Sequence, residues 1–161
     1  MDVARELGAK LDQHSSVDLD NPDYTARVEI KDQKAYFFYD KVQGGGGLPL
    51  GVSGQGLALI SGGIDSVVAC YKLYRSGVDL DFLIFDLGGE DSLKSGIDNA
   101  KYLYDNYGLG TKGKLYYIDF SQVLERLMQA PKPYRNLMLK YSFYKISNRI
   151  ADQKNIPTIV T

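Results

Sequence analysis

Ser61-Gly62-Gly63-Ile64-Asp65-Ser66 places two hydroxyls, two glycines and a carboxylate within six residues. Such a set suits the holding of a phosphate. Glycines let backbone N–H groups crowd around an oxyanion where a Cβ would collide, and Ser61 and Ser66 add hydroxyl donors. Upstream, Leu57-Ala58-Leu59-Ile60 is a short apolar run that reads as a buried parallel strand. Downstream, an amphipathic run from Val67 to Ser76 reads as a helix. A helix start offers unpaired N–H groups and roughly half a positive charge, so strand, glycine turn and helix together make a phosphate cradle. No Gly-Lys-Ser/Thr follows, which excludes a Walker A loop. Gly62-Gly63 does not extend to the dinucleotide fingerprint G-x-G-x-x-G. Asp65 has two open readings: the N-cap of the helix, or a carboxylate holding a Mg²⁺ that bridges phosphates.

The elements that must position this loop alternate. Leu57–Ile60 is a strand, and Asp65–Ser76 a helix closed by Gly77. Val78–Phe85 is a strand ending in Asp86-Leu87-Gly88-Gly89, and Asp91 or Ser92 caps a helix running to about Tyr107. Lys114–Asp119 is a strand, Ser121 caps a short helix that Pro131 stops, Tyr134–Lys154 holds a long helix, and Ile156–Val160 is a last strand. The pattern predicts an α/β fold, a doubly wound parallel sheet with right-handed crossovers. Ligands of such sheets sit at the carboxyl ends of the strands near a topological switch point. Ser61–Ser66, Asp86–Gly89 and Thr161 share that edge. Before this region, residues 2–10 read as a helix, and Thr25–Lys31 with Lys34–Lys41 as an antiparallel hairpin about Asp32-Gln33. A hairpin and one helix do not make a stable domain. Gln43 to Gly56, with seven glycines and one proline, reads as a flexible linker. The expected divisions are therefore 1–42, 43–56 and 57–161.

With 161 residues, 44% of them hydrophobic, the chain is expected to be globular with one sizeable core. It has neither a long apolar run nor a charged-then-apolar leader, so no membrane span or signal peptide is expected, and the cytoplasm is the expected compartment. The net charge of −1 is unevenly spread. Met1 to Val42 carries nine acids against six bases, whereas Arg126 to Lys154 carries seven bases against one acid. That basic run reads either as a solvated helical face or, with Tyr134, Tyr141, Phe143 and Tyr144 interleaved, as a contact for RNA phosphates and bases. Arg126, Arg135, Lys145 and Arg149 are its candidate RNA-binding residues. One cysteine excludes an internal disulfide or a CxxC motif. Cys70 reads as a core thiol at helical spacing, with a sulfur-carrier role as the sharper alternative. His14, the only histidine, reads as a surface residue.

SGGIDS resembles the SGGxDS loop of the PP-loop ATP pyrophosphatases. Gly46-Gly47-Leu48-Pro49-Leu50-Gly51 before it resembles the junction between THUMP and PP-loop domains in the tRNA 4-thiouridine synthetase (tRNA sulfurtransferase, ThiI) family. Asp18-Leu19-Asp20-Asn21-Pro22-Asp23 is similar to a THUMP segment of that family, and Phe85–Gly89 and Leu137–Lys140 also fall at family-like places. The resemblance covers nearly the whole chain. It implies that residues 1–42 are the rear part of a THUMP-like RNA-binding domain and 57–161 the first portion of a PP-loop domain. The implied activity is attack of a tRNA uracil oxygen on the ATP α-phosphorus, followed by displacement of AMP by a persulfide sulfur. A sulfur supply for thiamine thiazole synthesis is also implied. ATP and Mg²⁺ are the implied ligands. The implied partners are tRNA and a persulfide-carrying cysteine desulfurase or other sulfur donor; a second copy of the chain is expected separately, through exposed strand or hairpin surface.

By the same resemblance, Ser61, Gly62, Gly63 and Ser66 hold pyrophosphate, and Asp65 organises Mg²⁺ and the phosphates as the catalytic carboxylate. Leu59 and Ile60 line the adenosine side through their backbone, Phe85 and Asp86 contact adenosine, and Lys140 faces phosphate or remains a solvated helix lysine. Val67 and Tyr141 depart from the family pattern, which usually has proline or glycine at the first and arginine at the second. The family's GE-x-x-GQ closing loop and sulfur-transfer cysteine are not in this sequence, so incomplete turnover is expected. The competing readings are a non-catalytic ATP- or tRNA-binding fragment, and another amidating or thiolating PP-loop enzyme.

Overall fold

The computed structural model describes residues 3–12 and 14–161, which fall into two compact units, Met1–Gly44 and Gly45–Thr161. The expected helix start at Asp2 lies outside the described residues. In the first unit, α1 (Val3–Leu11) accompanies a two-stranded antiparallel ribbon, β1 (Arg27–Lys31) and β2 (Lys34–Phe38). Lys31 pairs with Lys34, so Asp32-Gln33 is the whole turn. Asp32 takes the left-handed conformation, φ 56°, which a short polar side chain tolerates. The apolar side chains Val3, Leu7, Leu11, Val28, Ile30 and Phe37 line an open cleft of about 840 Å³. None of the described residues of this unit is buried.

The second unit holds a four-stranded, wholly parallel sheet. Its strands are β3 (Gln55–Leu59), β4 (Asp79–Asp86), β5 (Leu115–Asp119) and β6 (Thr158–Val160), in the order β5-β4-β3-β6. Its helices are α2 (Ile64–Arg75), α3 (Glu90–Tyr107), α4 (Ser121–Met128) and α5 (Arg135–Lys154), with a short 3-10 turn at Lys132–Tyr134 before α5. Period-2 alternation sorts the strands onto two faces. Ala58, Ile60, Leu80, Phe82 and Ile84 pack with Cys70, Tyr74, Ala100 and Leu103 of α2 and α3. Leu57 and Leu83 pack with Ala151 of α5 and with Ile156 on the other face. The succession β3, β4, β5 travels one way and β6 returns to the far side of β3. Right-handed crossovers place helices of opposite travel on opposite faces, which is why α5 and the α2–α3 pair flank the sheet. The doubly wound α/β fold expected from the sequence is the one observed.

Several boundaries differ from the sequence reading for local reasons. Asp65 is not an N-cap; Gly63 is, with no side-chain hydrogen bond. Neither Asp91 nor Ser92 caps α3, whose N-cap is Gly89, and α4 is preceded by Phe120 with the Ser121 N–H held by Asp119 Oδ1 at 2.9 Å. That bond holds the Asp119 carboxyl below its usual range. The glycine-rich stretch is more ordered than its composition implies. Gln55 and Gly56 are already in β3, Leu48 N–H donates to Arg75 O, and Gly51 and Ser53 N–H both donate to Gly77 O.

Candidate active site

β3 and β6 flank the point where the order of strand succession reverses, and the loop from Ile60 to Gly63 leaves β3 at the carboxyl edge there. Ile60 N–H makes the last bond to the neighbouring strand, to Leu83 O at 3.0 Å, and the chain then turns into α2. Two hydroxyls tie this loop from within. Ser66 Oγ donates to Gly63 O at 3.0 Å and accepts from Ser61 N–H at 3.3 Å. Ser61 Oγ accepts from Gly63 N–H at 3.3 Å and lies 3.4 Å from Ser66 Oγ. The N–H groups of the first helical turn, Ile64 to Ser66, have no carbonyl one turn before them. They carry the positive end of the α2 dipole into an exposed site. The two serines thus preform the loop, and the helix start leaves N–H donors without a carbonyl partner.

Ser61, Gly62, Gly63, Asp65 and Ser66 are brought together in that turn. Asp65 is exposed at the second helical position and has no hydrogen bond or ion pair among the described residues. An acid in a first turn is favoured by the dipole, yet its oxygens remain available to a cation. Leu59 and Ile60 lead into the loop, Leu59 packing on the α5 side and Ile60 buried toward α2. Phe85 and Asp86 end the adjacent strand, but both are engaged. The Phe85 ring stacks on Phe143 at 4.5 Å and meets Phe120 edge-on at 5.2 Å. Asp86 Oδ1 accepts from Gly88 N–H and Oδ2 from the Tyr117 hydroxyl, each at 2.9 Å. The bond to Asp86 raises the Tyr117 hydroxyl above its usual range. Asp86 therefore braces the loop after β4.

α5 leads into a strand parallel to the others, so its N-terminus lies at the carboxyl edge of the sheet. Lys140, exposed in the second turn of α5, belongs to that edge. The basic candidates are spread over α4 and α5. Arg126 is exposed in the last turn of α4, and Lys145 and Arg149 are exposed one turn apart on α5. Arg149 lies about 20 Å along the axis from the start of that helix. Arg135 is engaged within the protein. Its Nε donates to Ala130 O at 2.9 Å and its Nη2 to Met128 O at 2.6 Å, so it caps the end of α4. Cys70 is buried, and burial pushes its thiol up to about 11, as suits a core residue.

The sequence reading missed the outer brace of the loop. Asn99 Nδ2 of α3 donates to Ser61 O at 3.0 Å. A Cβ on Gly62 would meet Ser95 Cβ at 3.1 Å, and one on Gly96 would touch Ile84 and the Ser61–Gly62 peptide. α3 thus approaches Gly62 so closely that a side chain there would be tight against Ser95. The legible signal was Ser95-Gly96 followed by Asn99, small and polar residues sharing one helical stripe.

The chain is 36% identical over its whole length to a tRNA sulfurtransferase of Desulfurococcus amylolyticus and covers 34% of that protein. It is 38% identical over its whole length to a probable tRNA sulfurtransferase of Saccharolobus islandicus, covering 43% of it. Against a tRNA sulfurtransferase of Pseudomonas syringae the identity is 33%, again over the whole chain and 34% of the relative. The chain thus spans well under half the length of these relatives. A crystal structure of a 4-thiouridine synthetase–RNA complex with bound ATP matches 96% of this chain and 42% of its own at a TM-score of 0.77, with 28% identity. PH1313 from Pyrococcus horikoshii shares the fold at a TM-score of 0.61 and 23% identity, over 98% of this chain and 52% of its own. A THUMP domain matches residues 1–40, and thiamine biosynthesis protein (ThiI) matches residues 51–161. With the parallel sheet and its SGGIDS turn, these matches make the chain a member of the ThiI family.

Proposed function

We propose that this chain supplies the ATP-binding portion of a tRNA sulfurtransferase, which adenylates a tRNA uracil on the way to 4-thiouridine. The observation that carries the reading is the preformed turn at the switch point, where Ser61 and Ser66 hold the loop and the α2 N-terminus stands open. Relatives named tRNA sulfurtransferase and an ATP-bound structural neighbour support it. In this reading the turn holds the pyrophosphate portion of ATP while a uracil oxygen attacks the α-phosphorus. Its contribution is positioning and charge stabilisation of the departing pyrophosphate. Asp65, with no protein partner, is the residue that fits Mg²⁺. Bound there with ATP, the ion would offset the charge of the phosphates.

The second half of the reaction needs a sulfur nucleophile. The only thiol here, Cys70, is buried with its ionisation pushed up to about 11, so the persulfide comes from a donor outside these residues. tRNA is the proposed partner, supported by the THUMP match and by the exposed bases Arg126, Lys145 and Arg149. Among the described residues no helix is long and apolar enough to cross a membrane. A tRNA substrate favours the cytoplasm. A homodimer through exposed strand or hairpin surface, and a sulfur supply for thiazole synthesis, complete the proposal.

Calorimetry with ATP and Mg²⁺ tests the nucleotide reading. The wild type is expected to bind in a Mg²⁺-dependent way, and Asp65→Ala to lose roughly tenfold in affinity with Mg²⁺ but little without it. Equal affinities would remove Asp65 from the site. No binding of ATP by the wild type would overturn the function.

A further inference from the structure

Ser61 is the first residue beyond the last sheet bond, and its carbonyl has no strand partner. The donor it finds is the Asn99 side-chain amide at 3.0 Å, from a helix 38 residues further along the chain. A trans peptide is planar, with its C=O and the following N–H pointing in opposite directions. Fixing the Ser61 carbonyl toward α3 therefore fixes the Gly62 N–H away from α3, toward the open side of the turn. Ser66 Oγ meanwhile holds the Ser61 N–H, so both faces of this residue's backbone are anchored. Gly96 is buried, and a Cβ there would lie in ordinary van der Waals contact with Ser61 C at 3.6 Å and Gly62 N at 3.8 Å, so α3 runs close beside this peptide.

We propose that Asn99 is a positioning residue of the nucleotide site, aiming the Gly62 N–H at a phosphate oxygen of ATP. This rests on the ATP reading above. Without the amide, the Ser61–Gly62 peptide is free to rotate, and an N–H···phosphate bond is lost or misaligned. Bonds to charged acceptors are among the stronger ones, so the expected loss is roughly tenfold or more in affinity. The loop would keep the hydrogen bonds of its two serines, so the fold itself is expected to survive.

The test uses the 161-residue chain with inorganic pyrophosphate and with ATP as probes, each with Mg²⁺. Affinities are measured by calorimetry below the melting transition, and the Gly62 amide resonance is followed by ¹⁵N-resolved NMR. In the wild type, pyrophosphate should move the Gly62 amide strongly. Asn99→Ala should bind roughly tenfold more weakly and show a much smaller Gly62 shift. Asn99→Asp keeps the shape but replaces the donor by an acceptor, so it should be no better than alanine, and it serves if Asn99→Ala does not fold. A merely structural role would lower the melting temperature and leave both the affinity and the Gly62 shift intact. That result, with a wild type that binds normally, overturns the role of Asn99 alone. A wild type that binds neither probe, with an unmoved Gly62 amide, overturns the ATP reading and this inference with it.

Discussion

The two units of this chain use the same kinds of residue to opposite effect. In Gly45–Thr161, alternating apolar side chains on β3 and β4 meet helices on both faces, and Leu57, Ala58, Leu80 and Leu83 are wholly buried. In the first unit, Val28, Ile30 and Phe37 alternate or cluster just as plainly, yet they border an open cleft and none is buried. Phe37 is 68% exposed. Amphipathic pattern specifies which side of an element is apolar; it does not supply the second layer that makes a core. The candidate site follows the same division. The turn proposed to hold the phosphates sits on the unit with a two-faced core, braced by α3 and by its own serines.

The sharpest way to break this comparison is to damage each unit once. Leu83→Ala removes a wholly buried side chain from the central strand β4 and is expected to cost about 2–5 kcal/mol. Phe37→Ala, at an exposed position, should change stability by less than about 1 kcal/mol. Hydrogen exchange followed by mass spectrometry resolves both units in one sample. Amides of β3 and β4 should carry the highest protection and lose it in Leu83→Ala, while those of β1 and β2 exchange far faster in every variant. Equal protection of the hairpin and the parallel sheet would show that the first unit has a core the comparison denies it.

The glycine run between them offers a finer cut. Gly47 has φ 98°, and a Cβ there would lie 2.3 Å from Arg75 O, so Gly47→Ala should cost about 1–3 kcal/mol. A Cβ on Gly45 would meet nothing within 4 Å, and Gly45→Ala should shift stability by less than about 1 kcal/mol. Urea denaturation of the second unit measures both. Similar costs at the two positions would erase the boundary between a stretch packed on α2 and one that is not.

The glycine run also shows where sequence reading succeeds and where it stops. Composition made 43–56 look like a hinge, because glycine frequency reports conformational freedom and is blind to a close approach by Arg75. The β3-α2 turn was legible, since hydrophobic run, glycines and amphipathic helix are all local in sequence, and the strand–helix alternation gave the sheet type. Asp65 looked like a cap by residue type, but the cap position fell two residues earlier on Gly63. The outer brace was not legible, because the contact of Asn99 with Ser61 spans 38 residues and depends on how α3 crosses the sheet edge. Asp86 and Phe85 were correctly placed at a strand end. What their side chains do was set by Tyr117, Phe120 and Phe143, none adjacent in sequence.

The smallest effects separate residues within the basic run, and here geometry overrides charge. Arg135 and Lys145 look equivalent in sequence, ten residues apart on one helix. Arg135 satisfies two carbonyls at the end of α4, whereas Lys145 is exposed. Arg135→Ala should therefore lower stability by about 1–3 kcal/mol, through carbonyls left without a donor. Lys145→Ala should leave stability within about 0.5 kcal/mol of the wild type. Binding to unmodified tRNA should show the reverse order. Loss of a phosphate contact at Lys145 weakens affinity about equally for any tRNA and reduces the slope of log affinity against log salt by about one. Arg135→Ala should leave that slope unchanged wherever the protein remains folded, because its guanidinium is already spent on protein carbonyls. Parallel titrations across a salt series, with melting temperatures taken on the same samples, decide it. An unchanged salt slope in Lys145→Ala would return that residue to a solvated face, and a reduced slope in folded Arg135→Ala would mean that the capping arginine also reaches the RNA.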